Sequence, residues 1–172
     1  MKKGLSKMEK REIERKAKEV LIEFGYNPEK DDYVDAVRLA KSVGFKVGES
    51  DKLSDDEDGF IVVSPDESLR VIGINHFRNF AEKRFIVIHE LAHYFLHKET
   101  LKKQVMLREH KKGKNTKEND ADYFAACVLM PSESFCRQAK KYSSEERVER
   151  LERMFLVPTE SVVRRLSEVG IE

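Results

Sequence analysis

Residues 89–93 read His-Glu-Leu-Ala-His. Residues four apart on a helix share a face, so His89 and His93 can offer two imidazole nitrogens to one divalent ion. Glu90 takes the neighbouring angular position. A carboxylate there reaches a water on the ion without binding the ion, and accepts the water's proton as it attacks a carbonyl. The bland alternative is a buried amphipathic helix whose histidines are incidental.

A catalytic zinc has three protein ligands and one open position. His97 comes too early after His93 for the usual spacing of a third histidine, and is expected at the surface or behind a ligand. The better candidate is Glu118, 25 residues beyond His93. Glu118, Ala121, Asp122, Ala125 and Leu129 share one helical face. The small alanines there, with Ala92 opposite, permit close approach of two helices. Glu118 would then reach the ion, and Asp122 would accept the free N–H of a ligating histidine. Spacing alone leaves both open: Glu118 reads equally as a capping partner of Asn115, and Asp122 as a solvated residue. Asp120 falls off that face and is expected to be dispensable for metal.

Several elements must position these residues. Ile13, Ala17, Val20, Leu21 and Phe24 predict a helix over 7–25, with Gly25 as its stop. A second helix is expected over 31–43, with Tyr33, Ala36, Val37, Ala40 and Val43 on one side. The period then changes. Short β-branched runs at "FKVG", "GFIVVS" and "LRVIGIN" predict a small sheet, with 64–68 as a hairpin turn. Residues 49–58 carry six acids and one lysine. The motif helix is expected over 79–97, with Ala81, Phe85, Ile88, Ala92 and Phe95 as its core wall. Residues 98–117 hold eight Lys or Arg and two Glu, and read as an exposed linker. Helices follow at 118–129, 132–141, 144–156 and 159–169, with a capping box at Ser143 and Glu146.

Composition sets limits. A chain of 172 residues accommodates one domain with a small appendage. The net charge of +1 argues against nucleic-acid binding by the whole chain. Residues 144–169 have the cadence of a helix-turn-helix, with Arg164 and Arg165 expected exposed. Residues 143–172 carry five Arg and seven Glu, the wrong sign for phosphate. No apolar run suits a membrane span or a signal peptide. Two cysteines outside a CxxC pair fit a reducing cytoplasm. Cys127 is expected to be an inert core thiol. Tyr94, His110 and Tyr123 are candidates to stabilise an oxyanion, and the sequence does not choose among them.

The segments "VIGIN", "RFIVIHELAHYFLH" and "ENDADYFAACVLMP", in that order over about residues 71–131, resemble the ImmA/IrrE family of metallopeptidases. Departures are mild: Ala92 stands where Gly is common, Asp122 where Asn is common, and Val128 where Leu is frequent. The resemblance implies His89, His93 and Glu118 as zinc ligands, manganese being possible, and Glu90 as general base. It also implies a regulatory endopeptidase that cleaves a helix-turn-helix repressor and so derepresses stress or mobile-element genes.

The expectation is therefore an α+β fold: N-terminal helices, a small twisted three-stranded sheet, the HExxH helix and a helical C-terminal part. Residues 1–130 would form a zinc metallopeptidase domain, and 131–172 a helical extension packed on it. The protein would be cytoplasmic and act on a protein substrate, without direct nucleic-acid contact. Two rivals remain. One is a deformylase-like hydrolase of small substrates, but its chemistry pairs HExxH with an upstream cysteine, and Cys127 and Cys136 lie downstream. The other is a non-catalytic, metal-braced binding module, which has no need of Glu90.

Overall fold

The computed structural model describes residues 7–104 and 116–171, with side chains for 9–98 and 116–171. Helix α1 (Lys7–Phe24) and the short α2 (Ala36–Ser42) precede strands β1 (Lys46–Ser50), β2 (Gly59–Val63) and β3 (Arg70–Asn75). The motif helix α3 (Phe80–Gln104) comes next. Then follow α4 (Thr116–Leu129), α5 (Ser132–Ala139), α6 (Ser144–Phe155) and α7 (Thr159–Val169). The fold is α+β. Among the described residues, no helix is long and apolar enough to cross a membrane.

The N-terminal half follows the periodicity with one correction. Ile13, Ala17, Val20 and Leu21 are buried on α1. The second helix, however, starts at Ala36 rather than 31. Asp35 caps it, its Oδ1 accepting the Arg38 N–H at 3.0 Å. Residues before the cap are not helical, so Tyr33 leaves the expected core face and is exposed, while Val34 is buried. Gly44, at φ +92°, turns the chain from α2 into β1, a conformation costly for any residue with a Cβ.

The sheet order is β1-β3-β2, with β1 parallel and β2 antiparallel to β3. Gly59, Ile61 and Val63 of β2 point into the core. The 64–68 hairpin joins β2 to β3, its Asp66 accepting from the Ser64 and Ser68 hydroxyls at 2.6 and 2.8 Å. Asn75, wholly buried, donates from Nδ2 to the Ser54 and Glu57 carbonyls at 3.0 and 2.8 Å. The acidic loop is thereby fixed against the end of β3.

α3 is the axis of the molecule. Val87, Ile88, Leu91 and Ala92 have no exposed surface. Ile88 and Ala92 lie in the core as expected, but Ala81, Phe85 and Phe95 are only half-buried, and Ile86, Val87, Leu91 and Tyr94 are buried as well. The helix is thus enclosed by the sheet, α2 and α4 on several sides rather than along a single wall. It kinks at His97, where the expected helix ends, and helical structure then continues to Gln104, into the start of the expected linker. Residues 105–115 of that linker, with His110 and Asn115, lie outside the described residues.

The C-terminal helices are held by two buried arginines. Arg84, in the turns before the motif, donates from Nη2 to the Val34 carbonyl at 2.6 Å and from Nη1 to Phe155 at 2.6 Å and to Leu156. It ties the start of α2, the motif helix and the end of α6 together. Arg165, expected to be exposed, is 1% exposed. Its Nε donates to the Met130 carbonyl at 3.1 Å and its Nη2 to Ser132 Oγ at 2.8 Å. Ser143 does stand at the N-cap of α6, but its side chain makes no capping hydrogen bond, so the expected capping box is not formed.

Burial lowers the pKa of Arg84, a sign of its desolvation cost. Removing it would leave buried carbonyls unpaired, each worth about 1–3 kcal/mol. Arg84→Met is expected to lower unfolding free energy by about 2–4 kcal/mol in urea melts, the desolvation relief offsetting part of the loss. A change below about 0.5 kcal/mol, typical of a surface site, would contradict the stapling role.

Candidate metal centre

The site forms where α3 and α4 cross. Ala92, Ala121 and Ala125 have no exposed surface, and these small side chains let the helices approach. His89 and His93 project from consecutive turns of α3, and Glu118 from the first turn of α4.

The donor atoms converge. His89 Nε2 lies 3.3 Å from His93 Nε2 and 3.1 Å from Glu118 Oε2. His93 Nε2 lies 3.5 Å from Glu118 Oε1. All three ligand atoms fall within 4.8 Å of one another. Donors about 2.0–2.1 Å from a tetrahedral ion sit about 3.3 Å apart; the two histidine nitrogens stand at that spacing, and each lies close to a different oxygen of the Glu118 carboxylate. The donor set of two imidazole nitrogens and a carboxylate oxygen suits zinc as well.

Asp122 Oδ1 is 2.9 Å from His89 Nδ1, on the ring atom away from the triangle. It fixes the ring so that Nε2 faces inward. Its other oxygen is 3.8 Å from Arg164 on α7. Arg164 is half-exposed, and its place at the back of the site was not visible from spacing. Glu90 is 4% exposed and lies beneath β2. A Cβ at Gly59 would fall 3.6 Å from Glu90 Cγ and 2.6 Å from Ile86 Cγ2. Only glycine lets the strand pass this close to the motif helix.

The other candidates are elsewhere. The Tyr94 hydroxyl donates to Glu67 at 3.1 Å, and its ring packs edge-on against Phe45. The Tyr123 hydroxyl donates to Glu14 on α1 at 2.7 Å. Neither tyrosine is brought to the triangle. Cys127 is buried, and burial pushes its thiol up to about 12, as an inert core cysteine requires.

The electrostatics are those of a site whose ligands pair with one another. Burial alone would hold the His89 pKa down. Hydrogen bonds to Asp122 and Glu118 overcome that and raise it to about 10. Hydrogen bonds from His89 and then His93 hold the Glu118 carboxyl well below its usual range. Burial, and then the neighbouring His93, lower His97 to about 4. Burial and the charge of Glu9 raise Asp120.

The sign of the His89 shift has two consequences. Its folded pKa lies above the ordinary 6.5, so the stability it gives the metal-free protein is full below pH 6.5 and is lost as pH rises through about 10. Near pH 7 the metal-free ring carries a proton on the nitrogen a metal needs. Zinc binding should therefore release about one proton from His89. Calorimetric titration at pH 7 in buffers of different ionisation heat measures this. Heats independent of the buffer would contradict it.

The family model of the IrrE N-terminal-like domain, a peptidase domain, matches residues 40–167, well over half of the chain. A solved Mycobacterium tuberculosis transcriptional regulator is similar in fold, with a TM-score of 0.63 and 22% identity. The similarity covers 91% of this chain and 46% of that one, so this chain spans less than half of the regulator's length. No curated protein matches the chain. The chain belongs to the IrrE N-terminal-like peptidase domain family.

Proposed function

We propose that this protein is a zinc-dependent endopeptidase that cleaves a helix-turn-helix transcriptional repressor, derepressing stress or mobile-element genes. The observation that carries the enzymatic part is the convergence of His89, His93 and Glu118, whose donor atoms lie within 4.8 Å of one another, beside an intact Glu90. The repressor as substrate rests on kinship. The Mycobacterium tuberculosis protein of similar fold is a transcriptional regulator by name, which agrees with a role in control of transcription.

A zinc ion held by the three residues would polarise the scissile carbonyl and acidify a water. The chain's own groups supply the rest. Asp122 holds His89 by Nδ1 and so presents Nε2. The Glu90 carboxylate accepts a proton from the attacking water and delivers it to the departing amine nitrogen. Among the described residues β2 is paired to β3 on one side, and its other edge can take an extended substrate segment as an added strand. Glu90 lies under the first residue of that strand, so a segment bound there runs past the base.

The test compares new protein N-termini in cells carrying wild-type protein and Glu90→Gln. The expected result is a small set of termini, within a helix-turn-helix regulator, present only with wild type. The same termini from both proteins, or none from either, would overturn the reading. Turnover of formyl-peptides without any protein cleavage would favour the small-substrate hydrolase instead.

A further inference from the structure

His97 is one turn beyond His93 and outside the donor triangle, yet it is not a surface residue. α3 departs from helical geometry at this position, with φ −130° and ψ 25°. The ring lies against His93: the two Nδ1 atoms are 3.2 Å apart, and the ring centroids 5.4 Å apart. The far nitrogen of His97, Nε2, is 3.5 Å from Asp120 Oδ2. The side chains of His93 and His97 are 6% and 11% exposed. Asp120 Oδ1 is buried and accepts no hydrogen bond among the described residues. A buried polar atom of that kind in a native protein asks for an explanation.

The tautomers follow from the geometry. A histidine that ligates through Nε2 keeps its single ring proton on Nδ1, and that N–H needs an acceptor. For His93, the atom at hydrogen-bonding distance is His97 Nδ1. His97 can accept there only when its own proton sits on Nε2. That nitrogen is the one turned to Asp120. The donors thus run in one direction, from the ligand through His97 toward the carboxylate. His89 has the shorter version of this arrangement, its Nδ1 meeting Asp122 directly. One helix, α4, therefore backs both imidazoles.

We propose that His97, supported by Asp120, is a positioning residue for His93: it accepts the Nδ1–H of His93 and fixes the tautomer that leaves Nε2 for the metal. The inference rests on the reading of His89, His93 and Glu118 as ligands. On this proposal Asp120 contributes to metal affinity, where helical spacing alone expects it to be dispensable. Ideal helical spacing sets Asp120 apart from Glu118 and Asp122, yet its carboxylate lies 3.5 Å from the ring of His97, where α3 departs from helical geometry.

The experiment is zinc titration of the full chain against a chromophoric chelator, with cobalt absorption spectra and melting curves of the metal-free proteins. His97→Ala should weaken zinc binding by about 10- to 100-fold, the usual scale for a group that orients a ligand. Loss of the packed ring should lower its metal-free melting temperature modestly, so affinity is compared where both proteins are folded. His97→Gln, whose amide oxygen can accept the same hydrogen bond, should recover most of the affinity. Asp120→Asn should lose less than His97→Ala. The cobalt spectrum of His97→Ala should keep its wild-type form. Wild-type affinity in His97→Ala would overturn the proposal, as would His97→Gln binding no better than His97→Ala. A changed cobalt spectrum in His97→Ala would make His97 a ligand and overturn it too. His93→Ala serves as the control: if it keeps zinc, or if wild type binds none, the ligand reading itself has failed, and the two failures are told apart.

Discussion

Alanine at Glu118 is expected to strip the protein of its metal, as is alanine at His89 or His93. Wild-type protein should carry about one equivalent of zinc, since a catalytic site of this type holds one ion. Each variant removes one of three groups whose donor atoms lie within 4.8 Å of one another, and two remaining donors hold zinc poorly. Asp122→Ala should fall between these variants and wild type, by about 10- to 100-fold in affinity, because it removes only the group that aims His89. Metal analysis after dialysis reads all four. Full occupancy in any of the three ligand variants would refute its assignment. Loss of metal with Asp122→Ala as complete as with Glu118→Ala would make Asp122 a ligand.

Glu90→Gln should leave metal and fold in place and remove catalysis. Glutamine has similar size and helix propensity, so the motif helix should tolerate it. It cannot accept the water's proton. Cleavage should fall by about 10²–10⁴-fold, the scale of general-base catalysis. If the motif were only a core helix, the same change would be nearly silent in every assay. Cleavage rate, zinc content and melting temperature together decide. Unchanged cleavage would remove Glu90 from the mechanism, and loss of metal along with activity would make it a structural support.

The candidate site is legible in the sequence because its residues recur at helical intervals. His89 and His93 are four apart, as are Glu118 and Asp122, and small residues on both helices marked where they meet. What escaped depended on contacts between distant segments. Nothing local distinguishes an Asp35 that caps a helix from an Asp35 one turn inside it. A charged side chain reads as solvated, yet Arg165 finds Met130 and Ser132, and Arg84 finds Val34 and Phe155, only after the chain has folded. In the sequence Arg84 merely ends the charged run Glu82, Lys83, Arg84, so nothing set it apart from its solvated neighbours. Tyr94 and Tyr123 carry the right chemistry for an oxyanion, but their hydroxyls are engaged by Glu67 and Glu14. Helical spacing sets Asp120 apart from Glu118 and Asp122, and did not show that its carboxylate lies 3.5 Å from the His97 ring.

Anomalous diffraction at the zinc edge, from crystals of the wild-type chain grown with zinc, tests the metal centre most directly. One strong peak is expected at the crossing of α3 and α4. It should lie about 2.0–2.2 Å from His89 Nε2, His93 Nε2 and a Glu118 carboxylate oxygen, with the fourth position open toward Glu90. No peak there, or a peak ligated without Glu118, would contradict the assignment.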